Sequence, residues 1–425
     1  MKVLKRVAII GGTRTPFCRS NTVYSELSNL DMLADTLQKL VDRYQLGGRK
    51  IDEVIAGAVT THSRDWNLAR EAVLSTKLSP ATPGTTLQMA CGTSLQAAML
   101  AAGRIASGQI DCAIAAGSDT TSDVPLVFQK RFAKRLIKFN QARDFGSKLR
   151  AFKRFRPSEL APQAPANAEP RTRLSMGEHC ERMAKEWGIS RVEQDQLALA
   201  SHLNAAAAYA EGFFDDLVSP YQGVARDNNL RADSSLEKLA ALKPSFDRGP
   251  GGTLTAGNST PLTDGASAVL LTSEEYAHTH NLPVLAWMTH ARTAAVDFVG
   301  GEGLLMAPTV AVSELLTATG MHLQDFDFYE IHEAFAAQVL CTLRAWESED
   351  FCRNTLGLQG ALGPIDRARL NVKGSSLAVG HPFAATGSRI IATLAKLLSE
   401  KGAGKGLISI CTAGGMGAAA ILERD

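Results

Sequence analysis

The sequence predicts an α/β fold made of two similar halves, and three observations support this. Short apolar segments typical of buried strands alternate with helical segments, beginning at residues 7–10. The segments that start at Cys91 and at His381 share one order: small residues, a helix, a glycine-rich stop and an apolar strand that ends in glycine. The long stretch between the halves lacks this pattern, which predicts an insertion.

The elements follow in order. In the first half we predict strands at 7–10 and in "IDEVIAGAVTT", then a strand end at 86–89, a helix over 92–105 and a strand in "CAIAAGSD". In the second half we predict a strand in "DFDFYEIHEAFAAQ", a helix that starts near Pro382 and a strand at 407–411. In the insertion, Ser190 with Glu193 resembles a helix-capping box, and Gly212 is a plausible helix end. The predicted limits are 1–121 with 251–280 for the first half, 122–250 for the inserted loop domain and 281–425 for the second half.

Composition places the chain among ordinary globular proteins. The 425 residues are 45% hydrophobic and 21% charged, and no apolar run is long enough to span a bilayer. The seven cysteines are scattered and form no Cys-x-x-Cys pair, which argues against a disulfide framework and a zinc site. We therefore expect a cytoplasmic protein.

One segment carries most of the charge asymmetry. Residues 126–156 hold eleven Lys and Arg against one acid, Asp144, a net charge of +10, whereas the rest of the chain totals −8. Phenylalanine and leucine recur at helical spacing between these charges, which predicts two short amphipathic basic helices. A solvated face over a subunit contact and binding of the coenzyme A phosphates are alternatives. We favour peripheral contact with an anionic membrane surface or docking of an acidic partner protein, because phenylalanines line one face; no recognition motif supports nucleic-acid binding.

Two cysteines and two histidines lie at predicted strand or helix ends beside small residues: Cys91, His332, His381 and Cys411. A cysteine more often only packs, but Cys91 would sit at a helix N-terminus, where unpaired N–H groups stabilise a thiolate. Gly92 beside it allows either close approach of substrate or tight packing. The four residues together favour acyl transfer through a thioester.

Two other site types are disfavoured. The glycines after Cys411 offer backbone N–H groups for an oxyanion, but they lack the Gly-Lys-Ser/Thr pair of a phosphate loop and the spacing of a dinucleotide fingerprint. His332 and Glu333 lack metal-ligand spacing such as His-Glu-x-x-His. We predict no metal.

Seven motifs in order carry a resemblance over nearly the whole chain. They are Arg14-Thr15-Pro16, "QMACGTSLQAA", "LSMGEHCERMAKEWGISR", "LTAGNSTPLTDGASAVLL", "HEAFA", "GHPFAATG" and "CTAGGMG". The sequence resembles the thiolases, the 3-ketoacyl-coenzyme A thiolases. The resemblance implies the thiolase fold: two duplicated βαβαβαββ halves in α-β-α-β-α layers, with an inserted loop domain.

The resemblance also implies residue roles. Cys91 would be the acylated nucleophile, His381 its base and Cys411 the acid/base at the carbon of the acetyl unit. His381 with His332, and the backbone N–H groups of Cys91 and Ala413, would form oxyanion holes. The coenzyme A contacts would be Met176, Ala256, Thr260 and Phe335. No cofactor would be bound permanently, because coenzyme A is a co-substrate.

Three positions depart from the usual family pattern. His332 stands where many thiolases have Asn, Ala413 replaces a glycine common after the second cysteine, and Ser175 replaces a histidine. The form His-Glu-Ala-Phe and "GHPFAATG" resemble the β subunit of the fatty-acid-oxidation trifunctional enzyme. This implies a degradative 3-ketoacyl-coenzyme A thiolase of β-oxidation, a homodimer or larger, with a hydratase/dehydrogenase α subunit as candidate partner. The alternatives are a biosynthetic acetoacetyl-coenzyme A thiolase, a ketoacyl-synthase-like condensing enzyme and a non-catalytic lipid-binding protein.

Overall fold

The computed structural model describes residues 4–425 and contains a layered α/β fold. Its strands are β1 Val7–Arg14, β2 Cys18–Arg19, β3 Glu53–Gly57, β4 Gly84–Thr86, β5 Cys112–Asp119, β6 Thr263–Ser273, β7 Ala286–Ala295, β8 Phe328–Ile331, β9 Gly404–Thr412 and β10 Met416–Arg424. Its helices are α1 Asn29–Arg43, α2 Leu68–Leu74, α3 Thr93–Ala106, α4 Lys130–Gln141, α5 Phe145–Ala151, α6 Met176–Glu186, α7 Arg191–Ala210, α8 Leu236–Ala240, α9 Glu274–Thr279, α10 Ala307–Thr319, α11 Ala336–Glu347, α12 Glu349–Asn354, α13 Ser376–Val379 and α14 Thr386–Lys401.

The strand order shows the duplication. Nine strands follow the path β4-β3-β5-β6-β1-β7-β10-β9-β8, and β2 pairs with β6. In the first half β3 is parallel to β4 and β5, and β6 is antiparallel to β5 and β1. In the second half β8 is parallel to β9, and β10 is antiparallel to β9 and β7. Only two residue pairs, Ala8 with Trp287 and Ile9 with Ala286, join the halves between β1 and β7. The predicted duplicated α/β fold is confirmed.

Three apolar clusters separate five layers. One cluster lies between α1 and α2 and the outer face of the first half. A second cluster fills the space around α3 and α14, between the two halves of the sheet. A third lies between α10 and the strands of the second half. Helix α1 is amphipathic, with Leu33, Leu37 and Leu40 on its buried face. Helix α14 is buried on nearly every side, as a central helix must be.

The two central helices touch at Gly387, near the start of α14. A Cβ atom added to Gly387 would lie 2.2 Å from the backbone nitrogen of Leu95, so only glycine allows this approach. The Ser388 N–H donates to Ser94 Oγ at 2.8 Å across the same contact. The crossing therefore fixes the start of α14 against the start of α3.

Between β5 and β6 the chain makes its long excursion, and we keep 122–250 as the proposed limits of the insertion. Helices α6 and α7 begin with capping boxes at Ser175 and Ser190, the second as predicted. Both helices pack against α11, which begins next to the candidate active site. Gly212, with φ of 75°, follows the end of α7. Among residues 4–425 no helix is both long and apolar enough to cross a membrane.

The basic segment forms a small helical hairpin of α4 and α5, which pack against each other. Phe132 contacts Phe128, Phe152 and Phe155 within it. Neither helix contains a buried residue, so the hairpin stands out from the main core. Arg135 differs from the other cations of the hairpin in its contacts with the chain. It pairs with the buried carboxylate of Glu159 and donates to three backbone carbonyls of the hairpin.

Candidate active site

Cys91 lies in a strained turn directly before α3. Residues Ala90–Gly92 form one 3-10 turn, and Ala90 has φ of 45°, the left-handed region that a residue with a Cβ rarely adopts. Thr93 Oγ1 holds this turn by accepting from the Met89 N–H and donating to the Ala90 carbonyl. The helix begins at Thr93, one residue later than predicted. A Cβ on Gly92 would lie 2.9 Å from the Thr412 methyl, so Gly92 serves tight packing rather than substrate approach.

His381 lies in the segment between α13 and the 3-10 turn Phe383–Ala385 that precedes α14. Gly380 has φ of 101°, which favours glycine, and the next N–H, that of His381, donates to Thr263 Oγ1 at 2.7 Å. The His381 ring then reaches across the central layer, with Nε2 3.1 Å from Cys91 Sγ and Nδ1 hydrogen-bonded to Thr386 Oγ1. The structure thus brings together the two predicted residues from opposite halves.

Asp119, at the end of β5, anchors the His381 turn, and the sequence analysis missed it. Its carboxylate accepts from the backbone N–H groups of Val59, Thr60 and Ala384 and from the Thr60 hydroxyl. Burial raises the pKa of Asp119 to about 6, although these hydrogen bonds act to lower it. The only signal in the sequence was an acidic residue at the end of an otherwise apolar strand.

His332 follows β8 and completes a buried cluster. Its ring centroid lies 4.1 Å from that of His381, and its Nδ1 is 2.9 Å from Ser376 Oγ. Donor atoms of Cys91, His332 and His381 all lie within 4.8 Å of one another, a grouping that is able to hold a metal ion. Sequence spacing could not reveal it, because the three residues come from distant segments. The absence of a metal stays a prediction.

Cys411 ends the central strand β9 of the second half and is fully buried. It packs in an apolar cluster with Phe335 and Cys341, and Met176 lies against that cluster. The backbone N–H groups of Ala413, two residues later, and of Cys91 itself act to lower the pKa of the Cys91 thiol, against the effect of burial. Cys91 in turn acts to raise the pKa of Cys411.

Burial decides the charge state of the site. It raises the pKa of Cys91 to about 12, with Asp119 adding to the effect, and lowers the pKa of His381 to about 3, with Arg389 adding to that effect. Burial also raises the pKa of Cys411 well above its usual value. A helix N-terminus stabilises a nearby anion by about 0.3–2 kcal/mol. Full burial costs the charged form more, because it moves a pKa by up to about 3–5 pH units and each pH unit corresponds to about 1.4 kcal/mol. Burial therefore opposes the thiolate that the helix N-terminus alone would favour, and it favours a neutral thiol and imidazole.

Comparison with known proteins gives the family. The chain matches the model "Thiolase, N-terminal domain" over residues 7–275 and "Thiolase, C-terminal domain" over 282–424. The chain belongs to the thiolase family. It is 42% identical over 424 residues to proteins of Yersinia pestis (strain Pestoides F) and Yersinia pseudotuberculosis serotype O:1b (strain IP 31758), both named 3-ketoacyl-CoA thiolase; each match covers 98% of this chain and 97% of the relative.

A solved structure, the acetyl-CoA acetyltransferase of Bacillus anthracis, matches with a TM-score of 0.82 and 29% identity, over 100% of both chains. Thiolases use coenzyme A as a co-substrate, in agreement with the predicted lack of a permanently bound cofactor. The resemblance drawn from the seven sequence motifs is confirmed at the level of the family and of the fold.

The positions predicted to contact coenzyme A lie around one cavity of this thiolase. Ala256 and Thr260 line a cavity of about 350 Å³, whose other walls include Phe246 and Arg19. Both the N–H and the hydroxyl of Thr260 donate to the carbonyl of Ala334, which ties the cavity wall to the segment after His332. Two larger cavities, of about 470 and 560 Å³, lie elsewhere, and Cys91 does not line any of the three cavities.

Phe335 and Met176 pack beside this cavity. The Phe335 ring makes an edge contact with Phe246, at 5.8 Å between centroids. A Cβ on Gly177 would lie 2.1 Å from the Phe246 ring, so the Met-Gly pair at the start of α6 makes room for that phenylalanine. The sequence analysis missed Phe246, because "KPSFDRG" carries no recognisable signal without the fold.

Proposed function

We propose that this chain is a 3-ketoacyl-coenzyme A thiolase that works in the degradative direction. The observation that carries the proposal is the Cys91–His381 pair at 3.1 Å, with the second thiol, Cys411, buried beside it. The relatives named 3-ketoacyl-CoA thiolase, which match over nearly the full length, support this substrate class.

In the first step, Cys91 Sγ attacks the 3-keto carbon while His381 Nε2 takes the thiol proton. A neutral thiol–imidazole pair suits this, because the imidazole is free to accept a proton at neutral pH. The N–H groups of Cys91 and Ala413 are placed to hold the oxyanion that forms on that carbon. Its collapse breaks the bond between the α and β carbons.

The electron pair of that bond becomes the enolate of acetyl-coenzyme A. We assign its oxygen to His332, whose ring lies 4.1 Å from that of His381 and whose buried Nε2 has no hydrogen-bond partner in the described part of the chain. Cys411 protonates the enolate carbon, and its raised pKa matches a proton donor toward carbon better than an ordinary thiol would.

In the second step, the thiol of free coenzyme A attacks the acyl-Cys91 thioester. The Cys411 thiolate takes the proton of coenzyme A, and the bond between the acyl carbon and Cys91 Sγ breaks. His381 returns its proton to Cys91, and the acyl chain, two carbons shorter, departs on coenzyme A. We assign the pantetheine arm to the cavity lined by Ala256 and Thr260, beside Met176 and Phe335. No step requires a metal, so dialysis against EDTA is expected to leave the rate unchanged.

The test supplies 3-ketoacyl-coenzyme A of several chain lengths, together with coenzyme A, and measures acetyl-coenzyme A. Wild type is expected to release it, whereas Cys91→Ser should lose at least about 10⁴-fold in kcat and Cys411→Ala about 10²–10⁴-fold. Activity with acetoacetyl-coenzyme A alone would favour the biosynthetic alternative. Condensation that needs no Cys411 would favour a ketoacyl-synthase-like enzyme, and no turnover would favour a lipid-binding protein.

As a second function, we propose that the hairpin 126–156 contacts an anionic membrane surface. Its net charge of +10 is complementary to such a surface, and its apolar side chains Phe128, Ile137 and Phe145 are 55–75% exposed. Lys130, Arg131 and Lys134 are exposed as well. Arg135 is excluded from this contact, because it holds the hairpin together.

Binding to vesicles of phosphatidylserine with phosphatidylcholine tests the membrane contact. The triple change Lys130→Glu, Arg131→Glu and Lys134→Glu is expected to weaken binding at least tenfold, because each cation near an anionic surface contributes on the order of 1 kcal/mol. A control with the same change of charge at Lys77, Lys238 and Arg353 should bind as wild type does. Undiminished binding by the hairpin variant would contradict the proposal, and no vesicle binding by wild type would favour a partner protein.

We further propose, from the resemblance, that the chain is the β subunit of a cytoplasmic trifunctional enzyme and forms a homodimer or larger assembly. The sequence His-Glu-Ala-Phe at 332–335 and "GHPFAATG" support this. Copurification of the native protein with a hydratase/dehydrogenase would support the α subunit as partner. A monomeric sedimentation coefficient, without any partner, would contradict both assignments.

A further inference from the structure

A buried chain of hydrogen bonds connects α14 with His332. Arg389 is 4% exposed, and its Nη2 donates to Ser376 Oγ at 2.8 Å, while its Nη1 donates to Ser375 Oγ at 3.2 Å. Ser376 Oγ lies 2.9 Å from His332 Nδ1. The chain therefore runs from a guanidinium through a hydroxyl to an imidazole of the active site.

The chemistry of the guanidinium sets the direction of this chain. Arginine has donors and no acceptor, so Ser376 Oγ must accept from Arg389. Within residues 4–425, the hydroxyl oxygen of Ser376 has one other hydrogen-bond partner, His332 Nδ1. If Ser376 Oγ also accepted from Nδ1, its buried hydroxyl proton would have no acceptor. Donation of that proton to Nδ1 pairs every group, so we take Nδ1 as the unprotonated nitrogen of the ring.

The remaining proton of the neutral ring must then be on Nε2. Burial lowers the pKa of His332 well below its usual value, and His381 and Arg389 act in the same direction, so the ring is neutral. His332 Nε2 is buried and has no hydrogen-bond partner in the described part of the chain. One ring nitrogen of His332 lies within 4.8 Å of Cys91 Sγ and of a ring nitrogen of His381, so the ring borders the reacting groups.

We propose that Arg389 and Ser376 are positioning residues that fix His332 as the Nε2–H tautomer. The site thereby presents a hydrogen-bond donor, rather than a lone pair, to the oxygen of the substrate. The opposite tautomer would place a lone pair against the developing negative charge. This inference rests on the proposed thiolase function, because it concerns the oxygen that becomes negative in that reaction.

The second histidine of the site lacks such a constraint. Thr386 Oγ1 faces His381 Nδ1, and no cation among the described residues donates to it. That hydroxyl is free to donate or to accept, as a base that gains and loses a proton requires. One histidine is thus held in a single protonation state, and the other is free to change.

Kinetics of four variants test the relay. Ser376→Ala is expected to lower kcat for thiolysis about 10²-fold, the cost of losing one oxyanion-hole donor. Ser375→Ala is the matched control, because Ser375 accepts from the same arginine without contacting His332; it should stay within about threefold of wild type. In a His332→Asn background, where residue 332 has no tautomer, adding Ser376→Ala should change kcat less than about threefold. An equal loss in both backgrounds would assign Ser376 a structural role and overturn the proposal.

Nitrogen-15 NMR of the histidine-labelled full chain reads the tautomer directly. His332 is assigned by comparison with His332→Asn, and its Nε2 is expected to carry the proton in wild type. Ser376→Ala should show a new population protonated on Nδ1, whereas Ser375→Ala should not. Protonation of Nδ1 in wild type would overturn the proposal. This measurement does not depend on turnover, so it is separate from failure of the thiolase assay with wild type.

Discussion

The two halves of the sheet carry the same device for opposite chemical purposes. Each central helix, α3 or α14, follows a short 3-10 turn, Ala90–Gly92 in one half and Phe383–Ala385 in the other. Cys91 lies within the first turn, whereas His381 lies before the second turn, directly after Gly380 with its positive φ. The duplicated halves therefore share the turn before the helix, and they differ in where the reactive side chain lies relative to that turn.

The strand ends of the two halves differ more. In the first half, β5 ends at Asp119, whose carboxylate is consumed by hydrogen bonds that hold the loops. In the second half, the equivalent strand β9 carries Cys411 near its end, and β8 leads to His332. One half thus provides the nucleophile and the anchoring, and the other provides the proton-transfer groups. Three measurements test this division of labour.

The largest expected effect comes from removing the base. His381→Asn should lower kcat/KM about 10³-fold, because general-base catalysis contributes about 10²–10⁴-fold. His202→Asn is a control, since His202 is buried on α7 and its ring nitrogen accepts from the Arg231 N–H instead of contacting Cys91. That control should retain activity within about threefold. A His381→Asn enzyme with more than a tenth of wild-type kcat/KM would contradict the assignment of the base.

The next effect concerns the contact between the halves. Gly387→Ala should lower the free energy of unfolding by about 3 kcal/mol, because the new methyl would push against the backbone of Leu95. It should also reduce kcat, because α3 and α14 carry the two reacting groups. Gly103→Ala on α3 meets no atom within 4 Å and should stabilise by about 0.5–1 kcal/mol. Equal unfolding midpoints in denaturant for the two variants would show that the crossing tolerates a methyl.

The smallest effect is the pH dependence of stability. The pKa of His381 is about 3 when folded and near 6.5 when unfolded, so the unfolded chain binds more protons between these values. The contribution of His381 is therefore complete above pH 6.5 and is lost as the pH falls toward 3. Between pH 7 and pH 5, wild type should lose about 1–2 kcal/mol more than His381→Asn in urea unfolding. Parallel curves for the two proteins would refute the low pKa.

The parts of the site that the sequence could show are those with a local signature. Cys91 and His381 each precede a helix beside glycine, and "CTAGGMG" marks the turn after Cys411. Asp119, Ser376 and Arg389 were missed, because each acts through a partner that is distant in the chain. In the sequence, nothing distinguishes Arg135 from the surface charges around it. Its contact with Glu159 is visible only in the folded chain.

The sequence by itself determined the duplicated α/β pattern, the family and the four reactive side chains, because these depend on local periodicity and on motifs of contiguous residues. The tertiary structure alone decided the charge state of those side chains. A helix end predicts a thiolate, but burial costs the charged form more than the helix end returns, and burial is a property of the whole fold. The tautomer of His332 likewise follows from Arg389 and Ser376, which only the folded chain brings to it.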